Sequence, residues 1–374
     1  MSKFYPVASF VCLLAILMPI VGDFDFVIPE LFVGSYSEIK KSESLTMSTT
    51  YQNARMAQSS TETNSLIFLG DILLARNVEI LMKNNGDKYP FAGVDFDSFS
   101  NNPLVFGNFE AAVPTKHTFT ENGQLKFSVP EDNLPSLYRA GLTHLSLANN
   151  HTYDFGSNGY VNTINALDKQ DIQSFGNPFS VNNFSYTIVN VNNKSIAVVG
   201  INFLHSAETS EITKLMEKLQ KVTDFQIAYP HWGNEYELTS SFRQKEQAAS
   251  LVKAGFDLIV GHHPHVVQEI EIIDKVPVIY SLGNYIFDQY FSSAVQTGLI
   301  LQLSITDTPY VSLIPVTSLN RLSQPNLMDV EDHEEFLLDL SAKSKSVPRR
   351  DILNGRVYLK PLVASLDKIA MISQ

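Results

Sequence analysis

Cysteine is almost missing from the sequence: Cys12 is the only one in 374 residues, and it lies inside an apolar N-terminal stretch. No disulfide can staple the remainder, and no thiolate can serve there as nucleophile or ligand. A metal site would have to be built from His, Asp, Glu and Asn, a donor set that suits Mn, Zn, Fe or Mg rather than an iron–sulfur cluster. Positive charge is also short, with 27 Lys and Arg against 39 Asp and Glu and a formal charge of -12. Phosphate backbones and anionic membrane surfaces demand clustered basic side chains, so no nucleic acid partner is expected. Charged residues make up 18% and hydrophobic ones 44%, which excludes overall disorder and leaves apolar surface for a large core. No repeat of fixed period is present, which excludes solenoids and coiled coils.

Long apolar runs are missing too, with one exception. Val7 to Val21 is nearly all apolar, follows Lys3 and precedes Asp23 and Asp25, the order of an export signal. The run is short for a membrane-spanning helix, and Ile20, Val21, Gly22 match a cleavage site poorly. A cleaved signal, an uncleaved anchor and a buried core helix all remain open, and the expectation is an extracytoplasmic protein, secreted or membrane-anchored. From Tyr36 to Asn64, Ser, Thr, Gln, Glu and Lys give the composition of a solvated linker. The expected organisation is a signal peptide or anchor over 1–22, a polar linker over 23–64, one main domain over 65–310, and an extension over 311–374 packed on that domain or appended to it. The chain after Pro309 reads as less regular, with an acidic stretch from Asp329 to Glu335 and the basic pair Arg349, Arg350.

From Ser65 onward, short apolar runs alternate with amphipathic stretches. Leu66 to Leu69, Leu104 to Phe106, Leu145 to Ala148, Ile196 to Ile201, Phe225 to Ala228, Leu258 to Val260 and Val278 to Tyr280 read as buried strands. Between them, Glu246 to Ala254 has helical spacing and stops at Gly255. The alternation predicts an α/β domain.

Six of these runs end at a small residue or turn followed at once by potential metal ligands. They lead to Gly70 and Asp71; to Asn108 and Glu110; to Asn149, Asn150 and His151; to His231 and Glu235; to Gly261, His262, His263 and His265; and to Ser281, Gly283 and Asn284. Loops at the carboxyl ends of strands converge in α/β sheets, so these groups are expected to share one site. Each alone is weak, because a Gly-Asp after a strand is usually a turn. His263 and His265 are sharper: strand alternation would aim both imidazoles the same way, and the whole chain has nine histidines. Asn150-His151-Thr152 also matches a glycosylation acceptor, but the site explains the same residues better. His117 and His144 read as ordinary. Carboxylates and neutral imidazoles hold divalent ions, which clamp oxygens and acidify bound water, the machinery of phosphoester hydrolysis. His151 suits a general acid, with Asp154 close enough in sequence to orient it.

Read in order, these groups resemble the CapA family of bacterial poly-gamma-glutamate capsule synthesis proteins. The resemblance rests on Gly70-Asp71, Asn108-Phe109-Glu110, Asn149-Asn150-His151 with Asp154 and Gly156, His231 to Glu235, Gly261 to His265, and Ser281 to Asn284 with Phe287-Asp288. It implies a metallophosphoesterase-like four-layer α/β/β/α sandwich. It also implies one or two divalent ions held by Asp71, Glu110, Asn150, His231, His263 and His265, with His151 as general acid. Metallophosphoesterases usually begin Asp-x-His, whereas Leu73 stands two residues after Asp71. Glu235 is then either a substitute ligand or support for His231, and Asn108, Asn149, His262 and Asn284 are candidates for similar supporting roles. The implied partners are an envelope polymer or phosphoester substrate and membrane proteins of capsule synthesis. The rival implication is a non-catalytic assembly, export or anchoring protein on the same scaffold.

Overall fold

The computed structural model describes residues 65–360 apart from 206 and 307. The expected signal or anchor and the polar linker lie outside the described residues. Among those described, no helix is long and apolar enough to cross a membrane.

The first stretch runs β1 (Ser65–Ile72), α1 (Asn77–Asn85), β2 (Leu104–Phe109), α2 (Pro135–Arg139), β3 (Leu142–Ser146), α3 (Gly156–Asp168) and β4 (Gln173–Phe175). Next come β5 (Tyr186–Val191), β6 (Lys194–Asn202), α4 (Thr209–Val222), β7 (Phe225–His231), α5 (Phe242–Ala254) and β8 (Leu258–Val260). The remainder is β9 (Ile270–Ile273), β10 (Val276–Ile279), β11 (Asn284–Ile286), β12 (Thr297–Ser304), β13 (Tyr310–Thr317) and β14 (Asn326–Leu327). Helices α6 (Val330–Lys343) and α7 (Arg349–Leu353) and strand β15 (Arg356–Tyr358) follow. One sheet has the order β14-β13-β12-β1-β2-β3-β4, with β11 also on β1 and β15 on β13; the other is β5-β6-β7-β8-β10-β9.

Side-chain alternation explains how the layers stack. On β1, Leu66 and Phe68 face the second sheet and join Ile196, Val198 and Ile227 in one buried cluster. Their neighbours Ile67 and Leu69 face the other way and pack with Val78 and Met82 of α1, Leu137 of α2 and Ala166 and Leu167 of α3. The second sheet repeats the division: Ala197, Val199 and Ile259 turn outward onto Ile212, Leu215 and Leu219 of α4 and Ala248 and Leu251 of α5. Strands buried on both faces must be apolar throughout, which is why β1 reads as a continuous run. Helices, sheet, sheet and helices thus form the expected four-layer α/β/β/α sandwich.

Local signals set several boundaries. Ser241 and Gln244 form a capping box at the start of α5, with the Ser241 side chain accepting from Gln244 N–H at 3.2 Å and Gln244 Oε1 accepting from Ser241 N–H at 2.9 Å. The helix therefore begins a turn before Glu246, and it ends at Gly255, which adopts φ 99°. Strand β3 stops at Ser146 rather than Ala148. The chain after Pro309 is regular, not irregular: β13 pairs with β12 from Tyr310 to Thr317, so the first sheet runs across position 310. Ser312 and Pro315 interrupt its apolar pattern, and a proline inside a strand argues against one in any reading by sequence pattern.

Candidate metal centre

The site forms where the carboxyl ends of parallel strands from both sheets meet. Asp71 pairs in register with Asn108 of β2 on one side and Asn284 of β11 on the other. Gly70 permits this crowding: a Cβ there would lie 2.0 Å from the carbonyl oxygen of Gly283. The Gly-Asp pair is therefore a close approach of β1 to β11 followed by a buried carboxylate. From the second sheet, His231 ends β7 and bridges to His262.

Asn108 ties the two sheets together. Its Nδ2 donates to Asp71 Oδ1 at 2.8 Å and lies 3.3 Å from His231 Nδ1. Its Oδ1 accepts from Asn149 Nδ2 at 3.1 Å. Asn149 in turn accepts from the N–H groups of His151 and Thr152, each at 3.0 Å, and so shapes the turn that presents Asn150 and His151. Asn150 Oδ1 lies 2.8 Å from His231 Nε2.

His263 and His265 do converge, but not by strand alternation. They lie in an irregular loop after β8, where His263 has φ 98° and His265 has φ 59°. Such conformations cost about 1–3 kcal/mol each and persist where the surroundings over-determine them. Here Asp71 Oδ2 accepts the N–H of His263 at 3.1 Å and lies 3.2 Å from His265 Nδ1. Asn284 Oδ1 also faces that Nδ1, at 2.8 Å. His265 is thus held through Nδ1 with its Nε2 directed at Glu110.

Glu110 is the centre of the cluster. It is fully buried, and its Oε1 has no hydrogen-bond partner. That oxygen lies 3.8 Å from His265 Nε2, 3.9 Å from His151 Nε2 and 4.0 Å from His231 Nε2. These separations are too long for hydrogen bonds. They suit donors that converge on a shared cation: ligands about 2.1 Å from one ion stand roughly 3.0–3.4 Å apart, within reach of small side-chain rotations. Three groups bring their donor atoms within 4.8 Å of one another: Glu110 with His231 and His263, Asp71 with Glu110 and His265, and Glu235 with His263 and His265. Glu110 is common to the two groups that are buried throughout. His263 Nδ1 is likewise buried without a hydrogen-bond partner. The residues fit a divalent metal.

The electrostatics agree with that fit. Burial pushes the Glu110 carboxyl well above its usual range, with Asp71 and Glu235 adding repulsion against the pull of His265. Burial also acts to raise Asp71, but hydrogen bonds and charge from His265, with Asn108, bring it below the ordinary carboxylate value. Burial keeps His231 well below the usual imidazole range. Burial, with His265 nearby, brings His263 down to about 4. Both are therefore neutral donors near pH 7. Burial would lower His265 as well, yet Glu110 and Asp71 raise it to about 9. A positive charge is wanted at that spot, which a divalent ion supplies as well as a proton does.

His151 stands at the edge of the cluster with Nδ1 3.0 Å from Asp154 Oδ2. With that nitrogen donating to the carboxylate, Nε2 is left toward Glu110. His262 is not part of the donor sets. Its Nε2 meets the Leu69 carbonyl at 3.1 Å, beneath Asp71, and its ring packs 3.9 Å from Tyr229. Glu235 is exposed on the rim and groups with His263 and His265, while His231 takes its support from Asn108 and Asn150. Leu73, at the position where a histidine would stand, is buried in the outer core of the first sheet. His117 bonds Ser128 and Glu79, and His144 stacks on Phe106, both apart from the donor sets.

Sequence reasoning missed Arg76 and Phe127. The ring of Phe127 stacks on His151 with centroids 4.0 Å apart, and the Arg76 guanidinium lies over Phe127. No periodicity marks Phe127, which sits in the irregular segment between β2 and α2. The only trace of Arg76 is its position at the turn into α1.

Fold and site together define a two-sheet α/β protein with a buried carboxylate–imidazole centre of the metal-binding kind. The family model for "Bacterial capsule synthesis protein PGA_cap" matches residues 65–289, and the chain belongs to that family. The capsule biosynthesis protein CapA of Bacillus anthracis is 30% identical over 277 residues, 67% of each chain. The PGA biosynthesis protein CapA of Bacillus subtilis is 28% identical over 253 residues, 63% of this chain and 66% of that one. The chain thus spans about two thirds of the length of these relatives. Among solved structures, a putative 5'-nucleotidase from Staphylococcus aureus is similar with a TM-score of 0.43 and 13% identity, over 74% of this chain and 59% of that one.

Proposed function

We propose that this capsule synthesis family member is a divalent-metal-dependent hydrolase of phosphoester-type bonds in envelope components, working outside the cytoplasmic membrane. The observation that carries the reading is the unpaired Oε1 of Glu110 facing three imidazole Nε2 atoms at 3.8–4.0 Å. A buried carboxylate oxygen left without a hydrogen bond destabilises a fold unless a cation answers it.

Asp71, Glu110 and His265 would hold one ion, and Glu110, His231, His263 and Asn150 a second. A bound divalent ion supplies Lewis acidity toward a phosphoryl oxygen and a more acidic bound water. The chain's own contribution is positional. Asn108 and Asn284 orient the carboxylate and imidazole ligands. Asp154 holds His151 through Nδ1, so that a proton on Nε2 can pass to the leaving oxygen as the ester bond breaks. The net charge of -12 speaks against a polyanionic nucleic acid, and the N-terminal apolar run supports an envelope location in company with membrane proteins of capsule synthesis.

The rival reading is a non-catalytic assembly protein, favoured by Leu73, which stands where an Asp-x-His histidine would give the Asp71 set a further ligand. Turnover decides between them. Wild type supplied with Mn or Zn should hydrolyse a simple phosphate ester, and His151→Ala should lose about 10²–10⁴ in kcat while keeping its metal. Full metal content with no hydrolysis of any ester tried would move the assignment to the assembly role.

A further inference from the structure

The Phe287-Asp288 pair belongs to the sequence pattern, yet the donor sets do not use it. Asp288 pairs with the Arg76 guanidinium, and its second oxygen accepts the N–H of Asn77 at 3.2 Å, at the start of α1. The side chains are 13% and 2% exposed, so this ion pair is part of the wall of the site rather than its surface. Arg76 Cζ lies 4.6 Å from the centroid of Phe127 and 5.7 Å from that of Phe287, and the two rings meet edge to face at 6.5 Å. Guanidinium groups are attracted to aromatic faces at such distances, most strongly when shielded from water.

Phe127 touches both halves of the His151–Asp154 pair. Its ring stacks on the imidazole at 4.0 Å with 28° between the planes. Its N–H donates at 2.7 Å to Asp154 Oδ2, the same oxygen that lies 3.0 Å from His151 Nδ1. A shift of Phe127 therefore moves the imidazole and the carboxylate together. Phe287 carries a similar contact to His265, with centroids 4.5 Å apart.

We infer that Arg76, fixed by Asp288, is a positioning residue that seats Phe127 against His151 and Asp154. Calling His151 an acid rests on the hydrolytic reading; the seating does not. A plain structural tie between α1 and the loop after β11 would need only the ion pair. It would not require a left-handed backbone at Arg76, with φ 54°, or a buried Nε without a partner. Both features cost stability, and together they aim the guanidinium at the two rings.

The test uses the full chain with metal and two phosphate monoesters. The p-nitrophenyl ester leaves as a stable anion and needs little protonation, whereas the glycerol ester leaves as an alkoxide and needs a proton. Arg76→Ala should lose about tenfold more kcat on the glycerol ester than on the nitrophenyl ester, with metal content unchanged, and Arg76→Lys should recover part of the difference. Equal losses on both esters would overturn the proposal. A second readout does not depend on turnover: the His151 ring proton and carbon shifts, assigned by their loss in His151→Gln. Phe127 ring current displaces them in wild type, and they should move toward free-histidine values in Arg76→Ala and Asp288→Asn. Unmoved His151 signals would also overturn it. Should no ester be turned over, the hydrolase reading fails and the spectra alone decide the seating. If Arg76→Ala does not fold, Arg76→Lys and Asp288→Asn carry the comparison.

Discussion

Asn108 Nδ2 donates to Asp71 Oδ1 across 2.8 Å, joining the ends of two adjacent parallel strands beneath the metal centre. The same nitrogen faces His231 Nδ1 from the second sheet. Asn108→Ala would leave a buried carboxylate and a buried imidazole each short of a partner. The expected loss is about 1–3 kcal/mol of stability in urea unfolding and about 10–100-fold in metal affinity by calorimetry. An Asn108→Ala protein that binds metal as tightly as wild type would show that Asn108 does not orient the ligands.

Gly70 is where β1 passes closest to β11. Because a Cβ would meet backbone at 2.0 Å and no side chain can rotate to relieve it, Gly70→Ala must displace β11 or Asp71 itself. We expect a loss on the order of 3 kcal/mol, read from the shift in the unfolding midpoint, together with weaker metal binding. Gly86 makes the contrast, since a Cβ there would have nothing within 4 Å; its φ of 93° alone would make Gly86→Ala costly, without effect on metal.

Much of this architecture was legible in the sequence because it depends on burial. Leu66 to Leu69 must be apolar where a strand is covered on both sides, and residues at such strand ends must converge. Other features depend on contacts far apart in the chain or on special backbone geometry. His263 and His265 meet through left-handed conformations enforced by Asp71, which lies 192 residues before His263. Arg76 reaches Asp288 across 212 positions, and no local pattern reports that. The proline in β13 hid a strand whose register is set by β12.

The metal-free protein should lose stability as pH rises from 6.5 to about 9. Glu110 and Asp71 outweigh the effect of burial on His265 and raise it to about 9, so its charged partnership is complete below its unfolded pKa of 6.5 and vanishes as pH climbs through 9. Glu110, raised above its usual range by burial, contributes in the same direction. His231, His262 and His263, lowered chiefly by burial, act in the opposite sense, but their contribution is complete once pH has risen past the unfolded value of 6.5. The fall should be on the order of 1–3 kcal/mol in urea unfolding, and a saturating divalent ion should abolish it by taking the place of the proton. Stability that rises over this window without metal would contradict the arrangement of charges described.

Glu235 distinguishes a ligand from a charge. It is exposed and can bring an oxygen to within 4.8 Å of donor atoms on His263 and His265, but nothing buries it, and the side chain that hydrogen-bonds it, Tyr236, is itself exposed. Its charge does reach the site, acting to raise both of those histidines against the lowering by burial. An exposed carboxylate held only by an exposed side chain gives up mobility to bind, so it adds less affinity than a buried donor already in place. Glu235→Gln should keep the full metal content of wild type, with affinity lowered by less than about tenfold. The His263→Ala, His265→Ala double variant should lose the metal altogether. Elemental analysis of the two proteins beside wild type makes the comparison. Loss of one ion from Glu235→Gln would instead make this residue the ligand that compensates for Leu73, and the rim of the site would then be part of the centre itself.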